Sequence, residues 1–364
     1  MIPCASPIAQ YQPLAAEIQA AIRTVLESGH YILGPQVEAF ENEFAHYLDI
    51  PHAMGCGSGT DALVLALRAH DIGAGDEVIV PSHTATATVA AVAMTGATPV
   101  FADIDPDFYT LAVREVETRC TPRTKAIVAV HLYGQAADIV GLQIVASARK
   151  LLLIEDCAQA VGADFNGRKL GTLADIGCYS FFPTKNLGAI GDAGAVVCRD
   201  AAVAARLKRL RQYGWDEKRI SAEPGMNSRL DEIQAAILRV KLPRLDAANA
   251  ERAAQAERYH AGLAGLPLGF PKVRTGALHS YHLFVLRVAA ADRGRLIAHM
   301  AEKGVGCGIH YAVPVHKMPG FAGATPLPVT EAVVDEIVSL PLFPGMNADQ
   351  QDVVISGVRS FYGR

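Results

Sequence analysis

Six short runs rich in Val, Ile, Leu and Ala, at 77–80, 98–102, 126–131, 150–154, 176–181 and 194–198, recur with longer helix-like segments between them. Strands buried on both faces read as near-continuous apolar runs, and parallel neighbours need crossover connections long enough to hold a helix. The pattern predicts an α/β fold whose large domain is a mostly parallel sheet covered by helices on both faces. Two helices are expected before it. One spans 13–29, with Leu14, Ile18, Ile22 and Val25 at helical spacing and Gly29 as its stop signal; the other follows Gly34-Pro35 and puts Val37, Phe40, Phe44 and Leu48 on one face. After Leu242-Pro243, an Ala-rich helix is expected at 245–263, then strands at 282–288 and 304–311 around a helix at 293–302, with 319–328 as a loop. A chain of 364 residues suits one large domain, 1–244, and a smaller α+β domain, 245–364.

Ligands of open α/β sheets bind outside the carboxyl ends of the strands. There, Asp156 leaves one strand in Glu155-Asp156-Cys157-Ala158-Gln159-Ala160, and Lys185 follows the next, 29 residues later. An aspartate there is ordinarily a turn or cap and a lysine a solvated charge. Together, in a glycine-rich and otherwise uncharged setting, they suit pyridoxal phosphate. That cofactor needs an amine to hold its aldehyde as a Schiff base and a carboxylate beside its pyridine nitrogen. Lys185 is the expected amine and Asp156 its partner. The turn Gly55-Cys56-Gly57-Ser58-Gly59-Thr60-Asp61 opens a helix, so N–H groups such as those of Gly59 and Thr60 and the positive end of the dipole offer an anion site for the cofactor's phosphate. A dinucleotide loop fits less well, because G-x-G-x-G is not G-x-G-x-x-G and the turn follows two amphipathic helices. A tight loop with an ordinary cap is the plain alternative.

Three segments carry a family resemblance: Ile154 to Ala160, Ser180-Phe181-Phe182-Pro183-Thr184-Lys185-Asn186-Leu187-Gly188, and Gly225-Met226-Asn227-Ser228-Arg229-Leu230-Asp231-Glu232-Ile233-Gln234-Ala235-Ala236. In order and separation they resemble the PLP-dependent sugar aminotransferases of the DegT/StrS group, over nearly the whole chain. The resemblance implies an aspartate-aminotransferase-like fold (PLP fold type I) and a homodimer with shared active sites. It places the Ser180 hydroxyl on the phosphate, Gln159 near the cofactor's O3′ or ring face, and Asn227 on the phosphate of the neighbouring subunit. Where the family usually sets an aromatic residue against the ring, this chain has Ala85. His83 is then the candidate to cover the ring face, with capping of the next helix as its alternative. His310, Tyr311 and His316 lie in a segment that approaches the nucleotide-sugar in the family; plain loop packing is the alternative.

The resemblance further implies a ping-pong transamination through pyridoxamine phosphate, from L-glutamate to a nucleotide-linked keto-sugar, with Lys185 moving the protons. The run 185–195 is similar to members acting on 3-keto sugars, so a dTDP-linked 3-keto-6-deoxyhexose aminated at C3 is the expected substrate. The alternatives are a 4-keto-sugar aminotransferase and, from another class, a PLP-binding regulator without turnover. Related dehydratases carry histidine in place of the lysine, so Lys185 argues against that activity.

Composition narrows the partners. Charged residues make up 19% of the chain with a formal net charge of −4 and no concentrated basic face, which argues against nucleic acid. Seven cysteines form no C-x-x-C pair and no disulfide framework, as in a reduced cytoplasmic protein. The histidine pairs His279/His282 and His310/His316 have no cysteine nearby, so no metal is expected. The first residues lack the charged and apolar regions of a signal peptide, and the longest uncharged run, 81–102, is too polar for a membrane span.

Overall fold

The computed structural model describes residues 1–321 and 325–363. Its main sheet has seven strands: β1 (His52–Cys56), β2 (Glu77–Pro81), β3 (Thr98–Ala102), β4 (Thr124–Val130), β5 (Leu152–Asp156) and, after the two-residue ribbon strands β6 (Asp164–Phe165) and β7 (Arg168–Lys169), β8 (Ile176–Ser180) and β9 (Gly194–Cys198). Their order is β1-β9-β8-β5-β4-β2-β3. Neighbours from β3 to β8 pair in parallel, and only β9 runs against both of its neighbours.

Period-two alternation explains how one sheet feeds two cores. Val78 and Val80, with Val128, Val130 and Ile154, pack against the helices Gly59–Arg68 and Thr86–Met94. Ile79, Ile127, Ala129 and Leu153 point the other way, onto the helices Val113–Arg119 and Ile139–Arg149. On the β8–β9 side, Tyr179, Phe181 and Val197 meet Phe40 and Phe44, whose rings stack 5.5 Å apart. The parallel strands therefore deliver Pro81, Val130, Asp156 and Ser180 to one edge of the sheet.

The helix Leu245–Gly262 leads from this core to another: Leu245 packs beside Phe44, and Ala256 and Tyr259 join a cluster around β11 (Phe284–Arg287) and β12 (Ile337–Leu340), which follow the ribbon strand β10 (Ala277–Leu278). β11 and β12 are antiparallel, with Phe284 opposite Leu340. The first residues belong to this second core too. Ile2 bridges Val305, the Leu342 N–H donates to the Cys4 carbonyl oxygen, and Ile2 and Ala9 pack on the cluster.

The strand expected at 304–311 is not formed. Gly304, Gly306 and Gly308 leave every other position without a side chain to pack, and only single bridges, Ile2 with Val305 and Gly308 with Ser339, remain. Its place beside β11 is taken by β12, which sequence reading passed over. β1 was also missed, because His52-Ala53-Met54-Gly55-Cys56 contains no β-branched residue and runs straight into the glycine turn. The helix expected at 13–29 forms as Ala15–Ser28, ended by Gly29 at φ +71°. Of the expected loop 319–328, residues 322–324 lie outside the described residues.

Candidate active site

A cavity of about 390 Å³ opens at the carboxyl edge of the parallel strands. Asp156 and Lys185 both line it, together with Ser58, Gly59, Thr60, Ala85, Thr88, Gln159, Ser180, His310 and Tyr311. Asp156, the last residue of β5, is buried; Oδ2 accepts from Thr88 Oγ1 at 2.8 Å and Oδ1 from the Ala158 N–H at 3.1 Å. Burial raises its pKa, and the Ala158 N–H, the Thr88 hydroxyl and the Lys185 charge oppose that rise. A cation placed against this carboxylate would restore its ionisation.

Lys185 stands on the turn after β8, its N–H held by the Phe182 carbonyl oxygen at 2.8 Å. Burial lowers its pKa from 10.5 to about 8, with Asp156 pulling the other way. A useful share of the amine is thus neutral near physiological pH, the form that attacks an aldehyde. Cofactor-free protein is therefore expected to capture added pyridoxal phosphate faster as pH rises towards about 8 and to level off above it. Stopped-flow absorbance measures this; a rate still climbing towards 10.5 would mean an unshifted amine.

The glycine turn lies against Ser180. The helix Gly59–Arg68 starts with Ser58 as its cap, Oγ accepting from the Asp61 N–H at 3.1 Å, so the Gly59 and Thr60 N–H groups of its first turn have no intrahelical acceptor. A Cβ on Gly59 would sit 2.6 Å from Ser180 Cβ, so only glycine lets this backbone approach β8. The turn is braced from below: the Gly55 N–H donates to Glu41, Arg211 donates to both Glu41 and the Gly55 carbonyl oxygen, and Ser228 Oγ links the Gly57 N–H to Asp61 Oδ2.

The remaining expected residues fall into two groups. Gln159 Oε1 accepts from the Tyr133 N–H at 2.7 Å, which fixes the amide so that Nε2 donates to Tyr311 Oη at 2.8 Å. Burial pushes the Tyr311 phenol up to about 12, so it faces the cavity neutral. His310 also lines the cavity, with Nδ1 2.8 Å from Ser339 Oγ.

His83 and His316 are not among the cavity's lining residues. His83 is buried with Nε2 2.8 Å from Tyr133 Oη, and burial lowers its pKa to about 4; at this turn it is Ala85 that faces the cavity. His316 is buried between Ser82 Oγ, 2.6 Å away, and Glu331 Oε1, 3.2 Å away. Asn227 is exposed on a segment bridged to Gln212 and lines no part of its own chain's cavity.

Sequence reading missed Thr88, His282 and the N-terminal Cys4 and Ala5, all lining residues. Thr88 lies three residues past Ala85 on the helix Thr86–Met94, and only the fold shows that its hydroxyl faces the Asp156 carboxylate. Nothing in the sequence placed residues 4 and 5 here. His131, Glu155 and Cys157 also cluster, with ligand atoms within 4.8 Å of one another. Glu155 is already occupied there, accepting from His131 Nε2 and the N–H groups of Gly171, Leu173 and Ala174.

An amine free of hydrogen-bond partners among the described residues, a carboxylate able to gain a cation and a helix N-terminus at glycine distance from β8 fit the three ends of pyridoxal phosphate. Fold and site together define a pyridoxal-phosphate-dependent enzyme. Comparison narrows the class: the chain belongs to the DegT/DnrJ/EryC1/StrS aminotransferase family, whose model matches residues 12–359. It is similar to the dTDP-3-amino-3,4,6-trideoxy-alpha-D-glucose transaminase of Streptomyces venezuelae, 46% identical over 98% of this chain and 95% of the relative. It is 45% identical to the UDP-N-acetyl-3-dehydro-alpha-D-glucosamine 3-aminotransferase of Acidithiobacillus ferrooxidans, over 96% of this chain and 95% of that protein. The crystal structure of S. venezuelae DesV in complex with a ketimine intermediate matches with a TM-score of 0.97 and 46% identity, covering 100% of this chain and 99% of that one. The enzyme is a transaminase and pyridoxal phosphate its cofactor. No helix among the described residues is long and apolar enough to cross a membrane.

Proposed function

We propose that this enzyme transfers the amino group of L-glutamate to C3 of a dTDP-linked 3-keto-6-deoxyhexose. The observation that carries the reading is the full-length 46% identity to a transaminase named for a dTDP-3-amino sugar, on a backbone matching DesV at a TM-score of 0.97. When bound, the cofactor stores the amino group between the two half-reactions and draws electrons from the reacting carbon.

This chain's residues do the rest. Lys185 holds the cofactor at rest and, once displaced, takes and returns a proton at the reacting carbon. Asp156 keeps the ring nitrogen protonated, with Thr88 and the Ala158 N–H fixing its two oxygens. The Gly59 and Thr60 N–H groups and the Ser180 hydroxyl bind phosphate. Gln159 orients the Tyr311 hydroxyl, which with His310 faces the sugar. His83 and His316 brace the wall from behind, through Tyr133 and Ser82. In a homodimer, the exposed Asn227 completes the partner's phosphate site. The same reading divides the chain at 244/245, supported by the apolar cluster around β11 and β12, which draws mostly on residues after 245, and places the enzyme in the cytoplasm.

The test is a two-stage assay on purified holoenzyme. L-glutamate converts the cofactor to its amine form, and dTDP-linked 3-keto and 4-keto sugars and a UDP-linked 3-keto sugar are then offered singly. Amination of the dTDP 3-keto sugar at least tenfold faster than the others is expected. Preference for the 4-keto sugar would overturn the C3 assignment, preference for the UDP sugar would overturn the nucleotide, and a cofactor that glutamate leaves unchanged would favour a regulator.

A further inference from the structure

The turn that carries Lys185 is gripped from behind by a cation that plays no part in the site described above. Lys241 ends the helix Glu232–Lys241, and its Nζ donates to the Gly188 carbonyl oxygen and to Gln10 Oε1, 3.2 Å away. Gln10 Nε2 in turn lies 3.5 Å from the Lys185 carbonyl oxygen. One ammonium and one amide therefore reach both ends of the segment 185–188. Beside the Lys185 N–H bond to Phe182, its other contacts include side-chain anchors. Asn186 Nδ2 donates to Asn249 Oδ1 and to the Ser280 carbonyl oxygen, both at 2.7 Å, and Leu187 is buried in the apolar cluster around Phe44. At the turn's end there is no slack: a Cβ on Gly188 would lie 2.5 Å from the Pro183 carbonyl oxygen.

Lys241 is largely buried and faces neutral acceptors; burial lowers its pKa to about 8, and no neighbouring charge offsets the effect. Stability alone does not account for an ammonium in such a place, since an unbranched apolar side chain would fill the same volume without losing its hydration. What the ammonium adds is direction: donors that point two acceptors at fixed positions. That direction matters for a group that must reach both a cofactor atom and a substrate carbon, because a misplacement of about 1 Å can cost ~10²-fold in rate.

We infer that Lys241, with Gln10 as its relay, is a positioning residue that sets the reach of Lys185 during proton transfer. The inference rests on the reading that Lys185 carries the cofactor and moves the proton.

The experiment uses reconstituted holoenzyme with Lys241→Met, Lys241→Arg, Gln10→Leu and Lys185→Ala, in the glutamate half-reaction with ordinary and α-deuterated L-glutamate. Lys241→Met is expected to bind cofactor one per chain, to keep KM within about twofold, and to lose about 10- to 100-fold in kcat with a larger deuterium effect. Lys241→Arg restores most of the rate, and Gln10→Leu shows the same pattern at smaller size. A kcat per bound cofactor within twofold of the parent, or an unchanged deuterium effect with loss confined to thermal stability, would overturn the inference. If Lys241→Met does not fold, Gln10→Leu decides by the same two readouts. Lys185→Ala separates the levels: if it turns over normally, the underlying reading fails; if it is inactive and the Lys241 and Gln10 variants are normal, only this inference fails.

Discussion

Lys185→Ala is expected to lose the yellow absorbance of lysine-bound cofactor and at least ~10³-fold in glutamate turnover, the scale of a lost general acid–base group. The size follows from two roles meeting in one amine. In the proposed mechanism it gives up the cofactor, as Schiff-base residue, by exchange of one amine for another and, once displaced, carries the proton in both half-reactions. Two of its neighbours are poor substitutes. Asp156 is committed to Thr88 and Ala158, and Tyr311, held up to about 12 by burial, is a poor base at neutral pH. Cofactor should still bind through its phosphate and ring, so the variant is compared at full occupancy. Borohydride reduction should fix pyridoxyl label on Lys185 in the parent alone. Turnover within tenfold of the parent, or label on another lysine, would show that the reaction is organised elsewhere.

Asp156→Asn is expected to keep the cofactor and cost ~10²- to 10³-fold in kcat for both half-reactions, comparable to removing one preorganised electrostatic partner. Asparagine has the shape of aspartate, and its oxygen can still accept from Thr88 or from the Ala158 N–H. It cannot carry the charge that keeps a ring nitrogen protonated. The sign of the environment matters: burial raises the Asp156 pKa in the free protein, so the carboxylate gains from a cationic ring as much as the ring gains from it. Cofactor affinity should therefore weaken with the substitution, and weaken less at high pH, where the parent itself must take up a proton to form the ion pair. Titration of the variants with pyridoxal phosphate at several pH values, followed by single-turnover kinetics, measures both effects. A kcat within threefold of the parent would remove the carboxylate from the electron-withdrawing role.

The mostly parallel sheet and the pair Asp156/Lys185 were legible because apolar runs buried on both faces are hard to mistake, and the residues that leave parallel strands lie at one edge. The glycine turn before Asp61 was legible for a related reason, since Gly59 must admit the backbone of Ser180. What escaped was decided by packing between distant segments. β12 is four residues long and follows a helix directly, so its register opposite β11 exists only in the fold. His83 and His316, expected at the ligand because of where they fall in the family resemblance, each find partners on another segment, Tyr133 for one and Ser82 with Glu331 for the other. Asn227 illustrates a further limit: it lines no part of its own chain's cavity, so a single chain carries no sign of the cross-subunit role that the resemblance implies.

The threading of the first residues through the second core sets the order in which the site can come into being. Ile2 and Cys4 leave the ribosome long before their partners, Val305 and Leu342, are made. Cys4 and Ala5 form part of the cavity wall, so the parallel sheet, Asp156 and Lys185 can all be in place while the chamber still stands open on that side. Enclosure then waits for the residues around Leu342, and a polypeptide cut short before them would present Lys185 without the wall that Cys4 and Ala5 complete.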